Sequence, residues 1–237
     1  MPNASLPRVS AVILAGGESR RMGRDKAFLD LGGAPLVTRV IERVAPLCTE
    51  IILVANNASA YAPFGYPVVP DVYPGKGSLG GIFSGLQAAH EQYALAVACD
   101  MPLLNPELLS YLISLAPSFD VVIPRAREES GRAPWPPSAT SPAREKKQRP
   151  VDRPIAKEIN LHPMHAVYSK NCLPAMQTRL LQNDLRAIGF HDLVRVRVVE
   201  PAEVDRFDPK HLSFFNANTP EDLETARILF SKAIKDV

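Results

Sequence analysis

Five short apolar runs, most of them separated by segments of helical spacing, constrain this chain more than any other feature. They fall at residues 9–14, 51–55, 68–69, 93–99 and 121–124. Between them, 36–45 carries Leu36, Val40, Ile41 and Val44 at helical spacing behind Pro35. Residues 79–89 read as a helix entered through Gly80-Gly81. Residues 107–116 read as another, with Asn105 as its cap and Pro106 at its first position. Alternation of this kind predicts right-handed crossovers and a mainly parallel sheet. Ligands of such sheets sit outside the carboxyl ends of the strands. The notable polar and glycine positions fall there: Gly16-Gly17, Asn56, Asp71 and Asp100 follow the first four runs in turn.

The rest of the chain is read as part of one domain spanning 1–237. A hairpin-like piece is expected around 28–31 with a turn at Gly32-Gly33. Residues 125–157 change composition: six prolines, and nine Lys/Arg against four Asp/Glu for a charge of +5. Too little apolar surface lies there to offset the entropy of ordering, so a disordered, exposed insertion is expected. It reads either as a solvated insertion or as a basic flap over an anionic ligand or partner. A strand is expected over 160–168, a helix over 172–181, an alternating strand over 193–199, and a last helix behind Thr219 and Pro220.

The 237 residues allow a sizeable core, and 46% apolar with 22% charged residues is ordinary globular composition. Cys48, Cys99 and Cys172 are too scattered for a disulfide framework or a zinc site, and a reducing, cytoplasmic setting is expected. The first eight residues lack the apolar core of a signal peptide, and no run is long enough to span a membrane. A net charge of +2 argues neither for nor against a polyanionic partner, and neither nucleic acid nor membrane is expected as one.

Two stretches carry the chemistry. The first strand breaks into Gly16-Gly17 and a loop with Arg20, Arg21, Arg24 and Lys26, which reads as an anion cradle for a nucleoside triphosphate. Its spacing fits neither G-x-x-x-x-G-K-[ST] nor G-x-G-x-x-G, which disfavours a P-loop kinase and a dehydrogenase. The second stretch is Ala98-Cys99-Asp100-Met101-Pro102, where a carboxylate ends a buried strand. That placement suits Mg²⁺, which takes few protein oxygens plus substrate phosphates, and equally suits a helix cap. His90, His191 and His211 read as surface or loop residues, and Trp135 lies inside the insertion.

On residues 14–29, 74–86, 98–104, 162–168 and 214–223, the sequence resembles the molybdenum cofactor guanylyltransferases, within the nucleotidyltransferases related to sugar-nucleotide pyrophosphorylases. The resemblance covers the whole chain except 125–157. It implies a three-layer, Rossmann-like α/β fold of the nucleotide-diphospho-sugar transferase type. It also implies transfer of GMP from GTP to the terminal phosphate of molybdopterin, with release of pyrophosphate and with Mg²⁺ as cofactor. Residue by residue, Leu14, Ala15 and Gly16 would hold base and ribose, and Gly17 would approach the phosphates. Arg21 and Lys26 would bind the triphosphate, Asp71 the guanine, and Asp100 the metal, with Asn218 as a second ligand. His162, His165 and Asn216 lie on the pterin side. Leu-Ala-Gly-Gly is similar to the guanine-using form, whereas Leu-Ala-Ala-Gly accompanies cytidylyl transfer. Two departures stand out. Val54 occupies a place where the family often has asparagine, with Asn56-Asn57 just after it, and the insertion has no counterpart. The competing readings are a cytidylyl or sugar-phosphate transferase on the same fold and a nucleotide-binding adaptor that docks a molybdoenzyme chaperone or apo-enzyme.

Overall fold

In the computed structural model, described over residues 6–15, 25–127 and 160–235, strand β1 (Val9–Leu14) is flanked by β2 (Glu50–Val54) and β4 (Tyr93–Ala98), both parallel to it. The sheet has seven strands in the order β3-β2-β1-β4-β6-β5-β7, where β3 is Val68–Val69, β5 Val121–Pro124, β6 His165–Ser169 and β7 Val196–Val199. Only β6 runs antiparallel to its neighbours. The reason is local. The chain leaves the carboxyl end of β5 and returns to the same end, where Arg125 bridges Leu161. A strand entered from that side must run back down the sheet.

Side-chain alternation along the strands divides the core in two. Val9, Ala11 and Ile13 of β1 pack with α1 (Leu36–Val44) and α4 (Pro106–Leu115), whose Val40, Val44, Leu108 and Leu112 are buried. Val12 faces the other layer, made of α3 (Gly77–Ala88) and α5 (Leu173–Leu181) with Ile82, Leu86, Met176 and Leu180. Each layer covers one face, giving the three-layer α/β arrangement expected. Among the described residues no helix is long and apolar enough to cross a membrane.

The helix over α3 begins earlier than its sequence indicates, at Gly77, so Gly80 and Gly81 lie inside it. They serve close packing. A Cβ on Gly85 would come 2.1 Å from Val12 Cγ1, and one on Gly81 would come 2.8 Å from Leu14 Cδ2. The helix can lie against β1 only because these positions are bare. Asn105 caps α4 by accepting from Glu107 N and Leu108 N, with Pro106 at the first position as expected.

Several boundaries move. The hairpin-like piece is a 3-10 turn, Lys26–Phe28, followed by a single antiparallel bridge between Asp30 and Pro35 around the Gly32-Gly33 turn. The strand expected over 160–168 starts only at His165, because Asn160 is left-handed (φ 60°) and His162 N is spent on Pro124 O. The strand expected over 193–199 starts at Val196, after a 3-10 turn at His191–Leu193. Two short helices, α2 (Ala58–Tyr61) and α6 (Pro201–Val204), had no clear periodicity to reveal them. The insertion begins later than 125: Ala126 is buried, Arg125 pairs with Glu200, and Arg127 pairs with Asp205. The rest of it, with Trp135, lies outside the described residues.

Candidate active site

The carboxyl ends of β1, β2, β3 and β4 form one rim. Backbone bonds continue the ladder past the strands: Ala15 N to Val54 O, Ala55 N to Val69 O, and Cys99 N to Leu14 O, at 3.0–3.1 Å. Ala15, Asn56, Asp71 and Asp100 are therefore held at one level. Gly16, Gly17 and Arg21 lie outside the described residues.

Asp100 ends the most central of these strands. Its main-chain oxygen accepts from Ala217 N at 2.8 Å, which pins the 216–218 segment beside it. Its Oδ1 is buried without a hydrogen-bond partner. Burial pushes the carboxyl pKa up and Asp222 adds to this, while Lys26 opposes it. A desolvated carboxylate oxygen with nothing bound to it is matched by a cation.

Lys26 provides one nearby charge. Its Nζ donates to Asn218 Oδ1 at 2.7 Å, joining residues far apart in sequence. Asn218 is placed by the start of α7 (Pro220–Lys235): Asp222 Oδ2 accepts from Asn218 N and Thr219 N, and Thr219 Oγ1 accepts from Asp222 N. This is a reciprocal cap of the kind Thr219 predicts. Lysine and asparagine thus meet, and the charge of Lys26 acts on the Asp100 carboxyl. No group of three His, Cys, Asp or Glu side chains suited to a metal occurs among the described residues. A cation there would take one carboxylate and depend on phosphate oxygens for the rest, which is the habit of Mg²⁺.

Asp71 is braced. Its Oδ1 accepts from Tyr73 N at 2.9 Å and from Ser84 Oγ at 3.1 Å, and its own N donates to Asn56 Oδ1 at 3.1 Å. A Cβ on Gly80 would lie 3.0 Å from that Oδ1, so the glycine of α3 lets the helix come up to the carboxylate. Asn56 acts here by holding Asp71. Leu14 is half-buried at the end of β1.

The histidines on the other side behave differently. His162 stacks on Phe214 with ring centroids 4.3 Å apart, and His165 and His211 lie 5.0 and 5.6 Å from the same ring. His165 is 0% exposed, and its ring has the backbone of Ser213 beside it. Burial holds its pKa down at about 3 and that of His162 at about 4. Both rings are neutral near pH 7, and only His162 and Asn216 of the expected pterin-side set keep some exposed surface. His211 is not a surface residue: it is buried, with Nε2 bonded to Asp205 Oδ1 at 2.8 Å and Nδ1 accepting from Arg127 N at 3.4 Å. Its left-handed backbone (φ 54°) turns the ring inward. His191 is half-buried against Phe190, and His90 is exposed, paired with Glu50.

One residue on the rim escaped the sequence reading. Tyr61, buried on α2, places its hydroxyl at both Ala15 O and Asp25 Oδ2. A four-residue helix leaves no periodic signal, so nothing in the sequence marked it.

Comparison with known proteins gives the family and the fold. Residues 11–196 match the MobA-like NTP transferase domain. A probable molybdenum cofactor guanylyltransferase of Pelotomaculum thermopropionicum is 33% identical, over 94% of this chain and 93% of that protein. The molybdenum cofactor guanylyltransferase of Desulfosudis oleivorans is 32% identical, over 92% and 94%. Among solved structures, molybdopterin-guanine dinucleotide biosynthesis protein A of Archaeoglobus fulgidus superposes with a TM-score of 0.71 at 23% identity, covering 94% of this chain and all of that one. The 2-C-methyl-D-erythritol 4-phosphate cytidylyltransferase of Thermus thermophilus shares the fold at a TM-score of 0.62 and 20% identity, over 94% and 98%.

Proposed function

The chain belongs to the MobA-like NTP transferase family, and from that premise we propose that it transfers GMP from GTP to the terminal phosphate of molybdopterin. The observation that carries the reading is the buried, unpartnered Asp100 Oδ1 at the end of β4, with Lys26 fixed nearby through Asn218. The names carried by relatives over nearly the whole chain supply the acceptor and the base.

The acceptor is a phosphate monoester, largely dianionic near pH 7, so its oxygen needs no strong general base. That oxygen forms a bond to the α-phosphorus of GTP. The bond from the α-phosphorus to the bridging oxygen breaks, and its electron pair leaves on pyrophosphate. The obstacle is electrostatic, since two anions must meet and charge builds on the leaving group. Lys26 neutralises the leaving pyrophosphate, and Arg21 is assigned the same task. Leu14, Ala15 and Gly16 take the base and ribose, Gly17 the phosphates, and Asp71 the guanine. Asp100 would hold Mg²⁺, with Asn218 Oδ1, now bonded to Lys26, as a second oxygen. A bound Mg²⁺ would supply Lewis acidity and a template for the phosphates. His162 and Asn216 line the pterin side, where His165 supports from within the core. All three cysteines are free, which accords with a cytoplasmic setting. In the second reading, a molybdoenzyme chaperone or apo-enzyme is the partner of the insertion between β5 and β6.

Pyrophosphate release with molybdopterin and each of GTP, CTP, ATP and UTP, with and without Mg²⁺, tests the reading. Release that requires GTP, molybdopterin and Mg²⁺ together is expected. Preference for CTP would place the chain among cytidylyl transferases, and GTP binding without turnover would make it an adaptor.

A further inference from the structure

Tyr61 has no part in the chemistry as written, yet its hydroxyl touches the two residues that border positions 16–24. The oxygen lies 2.6 Å from Ala15 O and 2.7 Å from Asp25 Oδ2. Ala15 follows β1, and Asp25 opens the turn that carries Lys26; positions 16–24 separate them in sequence. A phenol has one proton, and here a carbonyl and a carboxylate share it as a three-centre bond. The other oxygen of Asp25 accepts from Ala27 N at 3.1 Å and caps the Lys26–Phe28 turn. A line of contacts therefore runs from the end of β1 through Tyr61 and Asp25 to the backbone of Ala27, next to Lys26.

The ring is locked as firmly as the hydroxyl. Phe28 lies 5.0 Å from it and Phe64 6.1 Å, with 5.9 Å between those two. Tyr61 is 1% exposed, so water does not compete for its proton. Burial, then the bond to Asp25, raises the phenol pKa and keeps it a donor. A bond from a phenol to a carboxylate is of the charge-assisted class.

We propose that Tyr61 is a positioning residue that ties Ala15 to Asp25 and so holds the end of β1 and the Lys26 turn at the fixed spacing that GTP binding uses. The inference rests on the guanylyl-transfer reading above. Ends already held in place need no ordering when the nucleotide binds, so loosening them weakens affinity for GTP. The clasp needs the hydroxyl, whereas the three-ring packing needs only the phenyl.

Tyr61→Phe separates the two. Steady-state pyrophosphate release gives KM for GTP, KM for molybdopterin and kcat for wild type and variant. A rise in KM for GTP of about 10-fold or more is expected from loss of a bond to a charged group, with KM for molybdopterin unchanged. Asp25→Asn, at an exposed position, is expected to raise KM for GTP as well, even if Tyr61→Phe fails to fold. The double variant is expected to be no worse than the more impaired single one. Unchanged GTP kinetics would overturn the clasp, and so would a loss confined to kcat or full additivity of the two changes. A wild-type protein that releases no pyrophosphate with GTP overturns the proposed function itself and is read before any variant.

Discussion

The two sides of the rim handle polar groups in opposite ways. On the nucleotide side, Asp100 keeps a buried oxygen without a partner and Lys26 is held by a single amide. On the β6 side, His162, His165 and His211 are packed around Phe214, and burial keeps the rings of His162 and His165 neutral. The first arrangement leaves electrostatic demand that a bound cation, or a proton, would answer. The second gives shape without charge. A catalyst that must bring two phosphates together gains from charge where pyrophosphate leaves and from a rigid, uncharged support elsewhere.

Breaking the charged side should have the largest effect. Asp100→Ala is expected to abolish pyrophosphate release while the protein remains folded by circular dichroism. The folded-state pKa of Asp100 is raised, so its contribution to stability is complete at low pH and is lost as pH rises through that value. Removing the carboxylate should therefore not lower the melting temperature at pH 7.5 through charge, only through the lost volume. Lys26→Ala is expected to cut kcat/KM for GTP by roughly 10²–10³, about 3–4 kcal/mol, by analogy with loss of one oxyanion donor.

The neutral side should show itself in acid. Histidines buried uncharged have folded pKa values below the unfolded value near 6.5, so the unfolded chain gains protons first as pH falls. Stability is complete above about pH 6.5 and declines towards pH 4, the value held by His162, and on towards 3 for His165. His162 alone corresponds to roughly 3 kcal/mol at the acid end. Urea midpoints between pH 7.5 and 4.5 should fall, and His162→Phe should flatten the slope. A variant with the wild-type slope would remove His162 from this explanation.

The smallest expected effect concerns the scaffold beneath the nucleotide side. Gly85→Ala places a methyl against Val12 and should cost about 1–3 kcal/mol, read as a lower urea midpoint. An unchanged midpoint would mean that α3 can lift off β1 freely.

Much of this was legible in the sequence, for identifiable reasons. The strands are short and rich in aliphatic residues, and the first four end in a glycine or polar position, so the parallel sheet and its rim could be placed from spacing alone. Asp100, Lys26 and Asn218 could be nominated, and the capped start of α7 could be read from Thr219-Pro220-Glu221-Asp222. What escaped depends on tertiary contact. The reversed β6 follows from where the chain re-enters the sheet, not from its residues. The inward turn of His211 comes from one left-handed backbone. The helical placement of Gly80 and Gly81 answers to Leu14 and Asp71 across the interface. Tyr61 sits on a single helical turn, where no period can be seen.

The account stands on nucleotidyl transfer at the rim between Lys26 and Asp100, and following the α-phosphate tests that most directly. With GTP labelled at the α-phosphorus, molybdopterin and Mg²⁺, the label should appear in a pterin–guanine dinucleotide with one pyrophosphate released per transfer. Label that stays in GDP, with inorganic phosphate as the other product, would show cleavage at the γ-phosphate and contradict it.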